Sequence, residues 1–207
     1  KNVLKANNIL DGYIRPVAWR GSEMTGISAQ KNTIHFAVGA WKWPSYFSPE
    51  AKLKGIKLNI SKWKRPDPST APVNTKAAGL YMICTLSKHE AENLGYDDSL
   101  MLDYRGYIAE ATGANIFFVK GNEIHTPIAD CFLNGITRQT VISLAENENF
   151  KVKETRLKID DLSEYNECFV TGTAAEVTPV KSINEATFHP GKVCKLLIEK
   201  YTNLTKS

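Results

Sequence analysis

Between Ser99 and Thr126 the chain sets four short apolar segments close together: SLMLD (99–103), GYIAE (106–110), NIFFVK (115–120) and EIHT (123–126). Each is too short for a stable helix, and the GN pair between the last two is a hairpin turn. Further strands are expected at 13–19 (YIRPVAW), 33–41 (TIHFAVGAW), 56–63 (IKLNISKW), 150–158 and 167–173, where aromatic and β-branched residues collect. A helical pattern begins at Lys76, with Leu80, Ile83, Cys84, Ser87, Ala91 and Leu94 near one face and Gly95 as its stop. A second helix is expected over 137–147, and a short one at DDLSE. A last one follows Pro190, with Val193, Leu196, Leu197 and Tyr201 on one stripe. The pattern is α with largely antiparallel β, an α/β (α+β) chain without the βαβ rhythm of a doubly wound sheet. The stretch 42–52 carries two prolines and two serines and reads as a linker. It divides the chain into 1–45 and 46–207.

The 207 residues suffice for one large domain or for one domain with part of another. A net charge of +4 is small. Its local clusters, 52–65 and the C-terminal lysines, read as solvated faces, because a nucleic-acid footprint needs a denser basic stripe. Cys84, Cys131, Cys168 and Cys194 form no CxxC pair, and no histidine stands at ligand spacing, so no metal site is expected. With no signal peptide and no apolar run of membrane length, the thiols are expected to be reduced in a soluble cytoplasmic protein.

Four places could carry chemistry. In APVNTKAAGLYM, Lys76 lies among small residues with no acidic residue close by, and Tyr81 follows five positions on. A lysine acts as a nucleophile when its amine is unpaired and partly desolvated. The plain alternative is a surface lysine. In GYIAEATGAN, Glu110 leaves an apolar strand for a turn of small residues, either into water or toward a cation. In FLNGITRQTV, Gly135 opens a helix at Ile136 and Thr137, whose free amides and hydroxyl suit an anion. Many helices start this way, and neither a Walker loop nor GxGxxG is present. In VTGTAAEVTP, small residues from Thr171 to Ala175 follow a strand and form either a tight turn or an amide nest for an anion.

Each signal is weak alone, but together they describe one ligand. It has an aldehyde for the lysine, a phosphate for the helix start and a basic ring nitrogen for the carboxylate. That ligand is pyridoxal 5′-phosphate.

The order of these pieces resembles the class IV pyridoxal-phosphate aminotransferases, and among them the branched-chain amino-acid subgroup. The resemblance is carried by EATGANIFFVKGNEIHTPIADCFLNGITR (110–138), TGTAAEVTPV, TKAAGLY and GYIRP (12–16), and it covers nearly the whole chain. It implies a C-terminal pseudo-barrel domain of the D-amino-acid-aminotransferase-like fold, plus a remnant of the small α+β domain at 1–45. The cofactor would lie at their boundary.

By that resemblance Lys76 is the Schiff-base lysine and proton shuttle, Tyr81 the partner of the cofactor's phenolic oxygen, and Glu110 the partner of its ring nitrogen. Ile136, Thr137 and Thr173 hold the phosphate. Amides at Ala174 and Ala175 take the substrate carboxylate. Tyr13, Arg15 and Tyr46 line the substrate pocket, with Trp43 beside them, and Arg15 grips the side-chain carboxylate of glutamate. The implied reaction moves the amino group of L-leucine, L-isoleucine or L-valine to 2-oxoglutarate. The partners would be amino acids, 2-oxo acids and a second copy of the chain in a homodimer or larger homo-oligomer, with neither membrane nor nucleic acid. A D-amino-acid aminotransferase or an aminodeoxychorismate lyase would share the same core. A non-catalytic binding or assembly module is the rival of another class.

The sequence departs from the family pattern in two ways. Family members carry about another domain's worth of residues before the YIRP strand, including a phosphate-binding arginine. By the resemblance these residues are either a fragment or a chain with a disordered front, and their activity on their own is in question. Asn134 also stands where the family often has proline, and little consequence is expected of it.

Overall fold

A computed structural model of the chain describes residues 1–43, 47 and 49–206. Tyr46 and part of the expected linker lie outside the described residues. The chain divides into two compact units, Lys1–Tyr46 and Phe47–Ser207.

The first unit holds α1 (Asn2–Ala6) and two antiparallel strands, β1 (Tyr13–Arg20) and β2 (Ile34–Trp41). Tyr13 pairs with Trp41, and Arg15 with Gly39. Because side chains alternate along a strand, Tyr13, Arg15 and Trp41 share one face of this hairpin. There the Tyr13 ring lies 5.3 Å from that of Trp41 and 5.0 Å from that of Trp43.

The second unit runs α2 (Pro49–Lys54), β3 (Ile56–Arg65), a 3-10 turn (Ala78–Tyr81) and α3 (Met82–Asn93). There follow β4 (Asp98–Asp103), β5 (Ile108–Ala111), β6 (Asn115–Lys120), β7 (Glu123–Pro127) and α4 (Ile136–Asn147). After β8 (Lys151–Thr155), a 3-10 turn (Ile159–Glu164) leads to β9 (Glu167–Gly172), β10 (Glu176–Ile183), β11 (Ala186–Thr187) and α5 (Lys192–Lys206).

The strands form one mixed sheet in the order β5-β4-β3-β10-β9-β6-β7-β8, with β11 on β10. The sheet curls, so that β5 at one end approaches β6 and β7. The β6–β7 hairpin closes through Gly121, whose φ of +59° is the left-handed conformation that the turn requires.

Among the described residues six of the nine strand pairings are antiparallel, in keeping with the expected largely antiparallel chain, and three are parallel. β3 pairs parallel with β4 and with β10, and β7 pairs parallel with β8. The crossovers are α3, between β3 and β4, and α4, between β7 and β8. Helices are the usual way to join parallel neighbours.

The central strands read as continuous apolar runs because both of their faces are covered. Ile116, Phe118, Cys168 and Val170 pack inside the curl with Leu58, Leu100 and Val180. Phe117, Val119 and Phe169 face the other way, onto Val141 and Ala145 of α4 and Val193, Cys194 and Leu197 of α5. Each fully buried phenylalanine contributes about 1.5–3 kcal/mol. α3 lies on β3 and β4 through small side chains: Cys84, Ser87 and Ala91 are buried, and the Ser87 hydroxyl meets that of Ser61 at 2.6 Å. Leu94, expected on that face, is exposed at the helix end. The helix also starts later than expected, so Lys76 precedes it.

Candidate active site

A cleft of about 190 Å³ in the second unit gathers residues from four places in the sequence. They are the crossover after β3 (Thr75, Lys76, Tyr81), the end of β5 (Glu110), the start of α4 (Gly135, Ile136, Thr137) and the end of β9 (Thr171, Gly172, Thr173). These segments follow strand ends, where ligand sites of open sheets collect.

Lys76 is exposed and lines the cleft. Nζ donates to the Tyr81 hydroxyl at 3.0 Å and lies over its ring, 5.3 Å from the centroid. Among the described residues no carboxylate pairs with it. Thr75 lines the cleft with it, whereas Ala77, Ala78 and Gly79 lead into the 3-10 turn outside the wall.

Glu110 is buried, 8% exposed, opposite this pair. Its contacts are long: Arg65 Nε stands 3.4 Å from one oxygen, and Asn115 Nδ2 reaches the other at 3.4 Å. Burial pushes the carboxyl up to about 8, and the pull of Arg65 and Lys76 does not offset it. A carboxyl with slack partners and a desolvated, proton-holding state suits a ring nitrogen.

Asn115 also donates to the Leu133 carbonyl at 3.0 Å. It thereby joins the acid to the chain that enters α4. A Cβ on Gly135 would come within 2.5 Å of Asn115 Oδ1, so only glycine lets the backbone approach there. Gly135 is the residue before the helix, with φ −62° and ψ 145°, and no side chain caps the first amides. Those amides are therefore free for an anion. The Thr137 hydroxyl has only a 3.5 Å contact with Tyr201, and the buried Thr171 hydroxyl has no partner. Such orphaned donors mark a place where a ligand oxygen belongs.

Thr173 is exposed in the turn after β9. Ala174 and Ala175 continue that turn but do not line the cleft, and Ala175 packs into the core. The Thr178 hydroxyl donates to the Ala175 carbonyl at 2.6 Å, and Glu176 pairs with Lys52 while holding a left-handed φ of +53°. The turn is thus fixed by its own bonds. Tyr13 and Arg15 lie in the first unit, on the hairpin face already described.

Arg65 went unnoticed because it sits in a lysine-rich tract that reads as a solvated face. It is 4% exposed and lies among Glu110, the Leu80 carbonyl and Cys84 Sγ, the last two at 3.5 Å. Its one signal is position, at the end of a strand and ahead of a proline-rich loop. Outside the cleft, donor atoms of Asp103, Asp130 and Cys131 lie within 4.8 Å of one another. Arg105 bonds both carboxylates, at 2.7 and 2.8 Å, and so occupies that cluster with its own charge.

The curled mixed sheet, which sets a lysine, a buried acid and an uncapped helix start around one cleft, is a fold that known proteins share. The sequence profile described as amino-transferase class IV matches residues 1–183, and the chain belongs to that family. It is a pyridoxal-phosphate-dependent aminotransferase.

A "Probable branched-chain-amino-acid aminotransferase" of Rickettsia conorii is 44% identical over 99% of this chain and 70% of its own length. The branched-chain-amino-acid aminotransferase of Pseudomonas aeruginosa is 39% identical over 87% of this chain and 59% of its own. Among solved structures, the Escherichia coli branched-chain amino acid aminotransferase superposes with a TM-score of 0.94 at 34% identity, covering 98% of this chain and 68% of that one. A T.th. branched-chain amino acid aminotransferase, complexed with N-(5′-phosphopyridoxyl)-L-glutamate, superposes at 0.90 with 35% identity, covering 98% and 67%.

Proposed function

We propose that the chain moves the amino group of L-leucine, L-isoleucine or L-valine to 2-oxoglutarate. The observation that carries this is the meeting of the Lys76–Tyr81 pair, the buried acid Glu110 and the uncapped start of α4 in one cleft. The names of the relatives support the substrate class, and the glutamate adduct in one of them supports the acceptor.

The residues present fit the cofactor: Lys76 offers an amine paired with no carboxylate among the described residues, Glu110 has only long contacts, and the α4 amides and the Thr171 hydroxyl have no side-chain partner. When bound, pyridoxal phosphate supplies a ring that withdraws electrons from the substrate α-carbon. Lys76 supplies the amine that holds the cofactor aldehyde and then carries the proton between the α-carbon and the cofactor's C4′. Tyr81, already in contact with Lys76, steadies the phenolic oxygen. Glu110 holds the proton at the ring nitrogen. The amides of Ile136 and Thr137 and the hydroxyls of Thr137 and Thr173 bind the phosphate.

For the substrate we assign the amides at Ala174 and Ala175 to its α-carboxylate. Tyr13 and Arg15, with Tyr46, are assigned to its side chain; the aromatic face of the hairpin suits aliphatic groups, and the guanidinium suits the carboxylate of glutamate. Residues 1–45 are assigned to the small domain, and 46–207 to the cofactor domain. Four free, buried cysteines support a cytoplasmic setting, and the family resemblance supports a homodimer. Among the described residues no helix is long and apolar enough to cross a membrane.

A substrate panel tests this reading. Turnover of L-leucine, L-isoleucine and L-valine with 2-oxoglutarate is expected. Turnover of D-alanine in their place would select the D-amino-acid enzyme of the same fold.

A further inference from the structure

The start of α4 is held from behind by a side chain to which no role has been given. Arg138 is 1% exposed. Its guanidinium donates through Nη1 to Asn134 Oδ1 at 2.9 Å, and through Nη2 to the Pro127 carbonyl at 2.8 Å and to Glu154 at 2.7 Å. The three acceptors come from both ends of the loop between β7 and α4, and from β8. A planar guanidinium bonded in this way fixes its partners relative to one another, which a single ammonium cannot do.

Asn134 is the residue immediately before Gly135, and it is held twice. Its side chain accepts from Arg138, and its carbonyl accepts from Gln139 Nε2 at 3.0 Å. One residue earlier, the Leu133 carbonyl accepts from Asn115. The backbone entering the phosphate-binding turn is thus tied on one side to the neighbour of Glu110, and on the other to a buried cation.

We propose that Arg138, acting through Asn134, is a positioning residue that sets the Gly135–Thr137 amides for the cofactor phosphate. This rests on the cofactor reading above. It reverses the expectation that Asn134 matters little. Proline at that position would fix the same backbone by its ring. Here a side-chain hydrogen bond to a buried cation fixes it instead. Amides aimed in advance bind an anion without first losing their own freedom.

Asn134 is exposed, so Asn134→Ala is expected to fold. The test compares pyridoxal phosphate with pyridoxal, which lacks the phosphate, by absorbance titration of the cofactor-free protein. Asn134→Ala and Arg138→Lys are each expected to raise the Kd for pyridoxal phosphate about tenfold, the scale of one charge-assisted hydrogen bond, while the Kd for pyridoxal stays within about twofold. The double variant is expected to be no worse than the poorer single one, because the two residues act through one bond. Unchanged affinity for pyridoxal phosphate in Asn134→Ala, or equal weakening of both ligands, would overturn the proposal and leave the cofactor reading standing. A wild-type protein that binds neither ligand would overturn both.

Discussion

Lys76 Nζ and the Tyr81 hydroxyl stand 3.0 Å apart across a bend that no helix spans. The chain leaves Lys76 extended and enters a 3-10 turn at Ala78, and Tyr81 ends that turn just before α3. The turn, rather than helical periodicity, brings the phenol to the amine. Tyr81→Phe removes the hydroxyl and keeps the ring. It is expected to lower kcat about tenfold, the scale of one hydrogen bond near the reacting amine. Steady-state kinetics check this, and an unchanged kcat would detach Tyr81 from the chemistry.

Glu110 gives the cofactor-free protein a pH dependence of defined sign. Burial raises its folded-state value to about 8, against about 4.3 in an unfolded chain. The fold therefore keeps a proton that the unfolded chain releases. The stability this lends is fully present below pH 4 and is lost as pH rises through 8. Between pH 5 and 8 the slope is about −1.4 kcal/mol per pH unit. Glu110→Gln is expected to remove this component, so denaturant midpoints of wild type and variant should diverge with pH. Parallel profiles would contradict it.

Phe117 and Phe169 tie β6 to β9 on the face beneath α4. Their rings stack 5.0 Å apart at 6°, and both are fully buried. Phe117→Ala is expected to cost about 3–5 kcal/mol, from lost transfer energy and the cavity left behind. Urea unfolding would show it as a lower midpoint with an unchanged slope.

Arg138→Ala should cost less, for a different reason. It leaves the Glu154 carboxylate, the Pro127 carbonyl and the Asn134 side chain without their shared donor. Water takes up the half-exposed Glu154 carboxylate, so the expected cost, mostly from the buried Pro127 carbonyl, is about 1–3 kcal/mol. A drop in Tm much larger than that of Asn134→Ala is expected, since the latter removes one of the three bonds.

The apolar runs NIFFVK and ECFVTG announce β6 and β9 plainly, because strands covered on both faces need continuous hydrophobicity. The GN turn fixes the hairpin, and GIT marks the start of α4. By contrast, β10 is hard to see. It carries Pro179, which cannot donate to a ladder, along with Glu176 and Lys181, yet it runs between β3 and β9, with Pro179 opposite Phe169. The parallel pairings are equally hidden, because sequence periodicity reports burial and not strand direction.

In the site, Lys76, Tyr81, Glu110, Ile136, Thr137 and Thr173 are legible as short patterns, and one cleft holds them all. Arg65 is not legible, since what makes it part of the site is Glu110, far along the chain. Nor is the clamp on Asn134, whose partner Arg138 resembles an ordinary helix residue until its burial is known.

The central claim is that the amine of Lys76 condenses with the aldehyde of pyridoxal phosphate. The most direct test is the absorbance of the reconstituted protein and of Lys76→Ala, each prepared with the cofactor. The wild type is expected to show a band at roughly 410–430 nm, from the protonated lysine adduct, that Lys76→Ala lacks. Identical spectra from the two proteins would contradict the account.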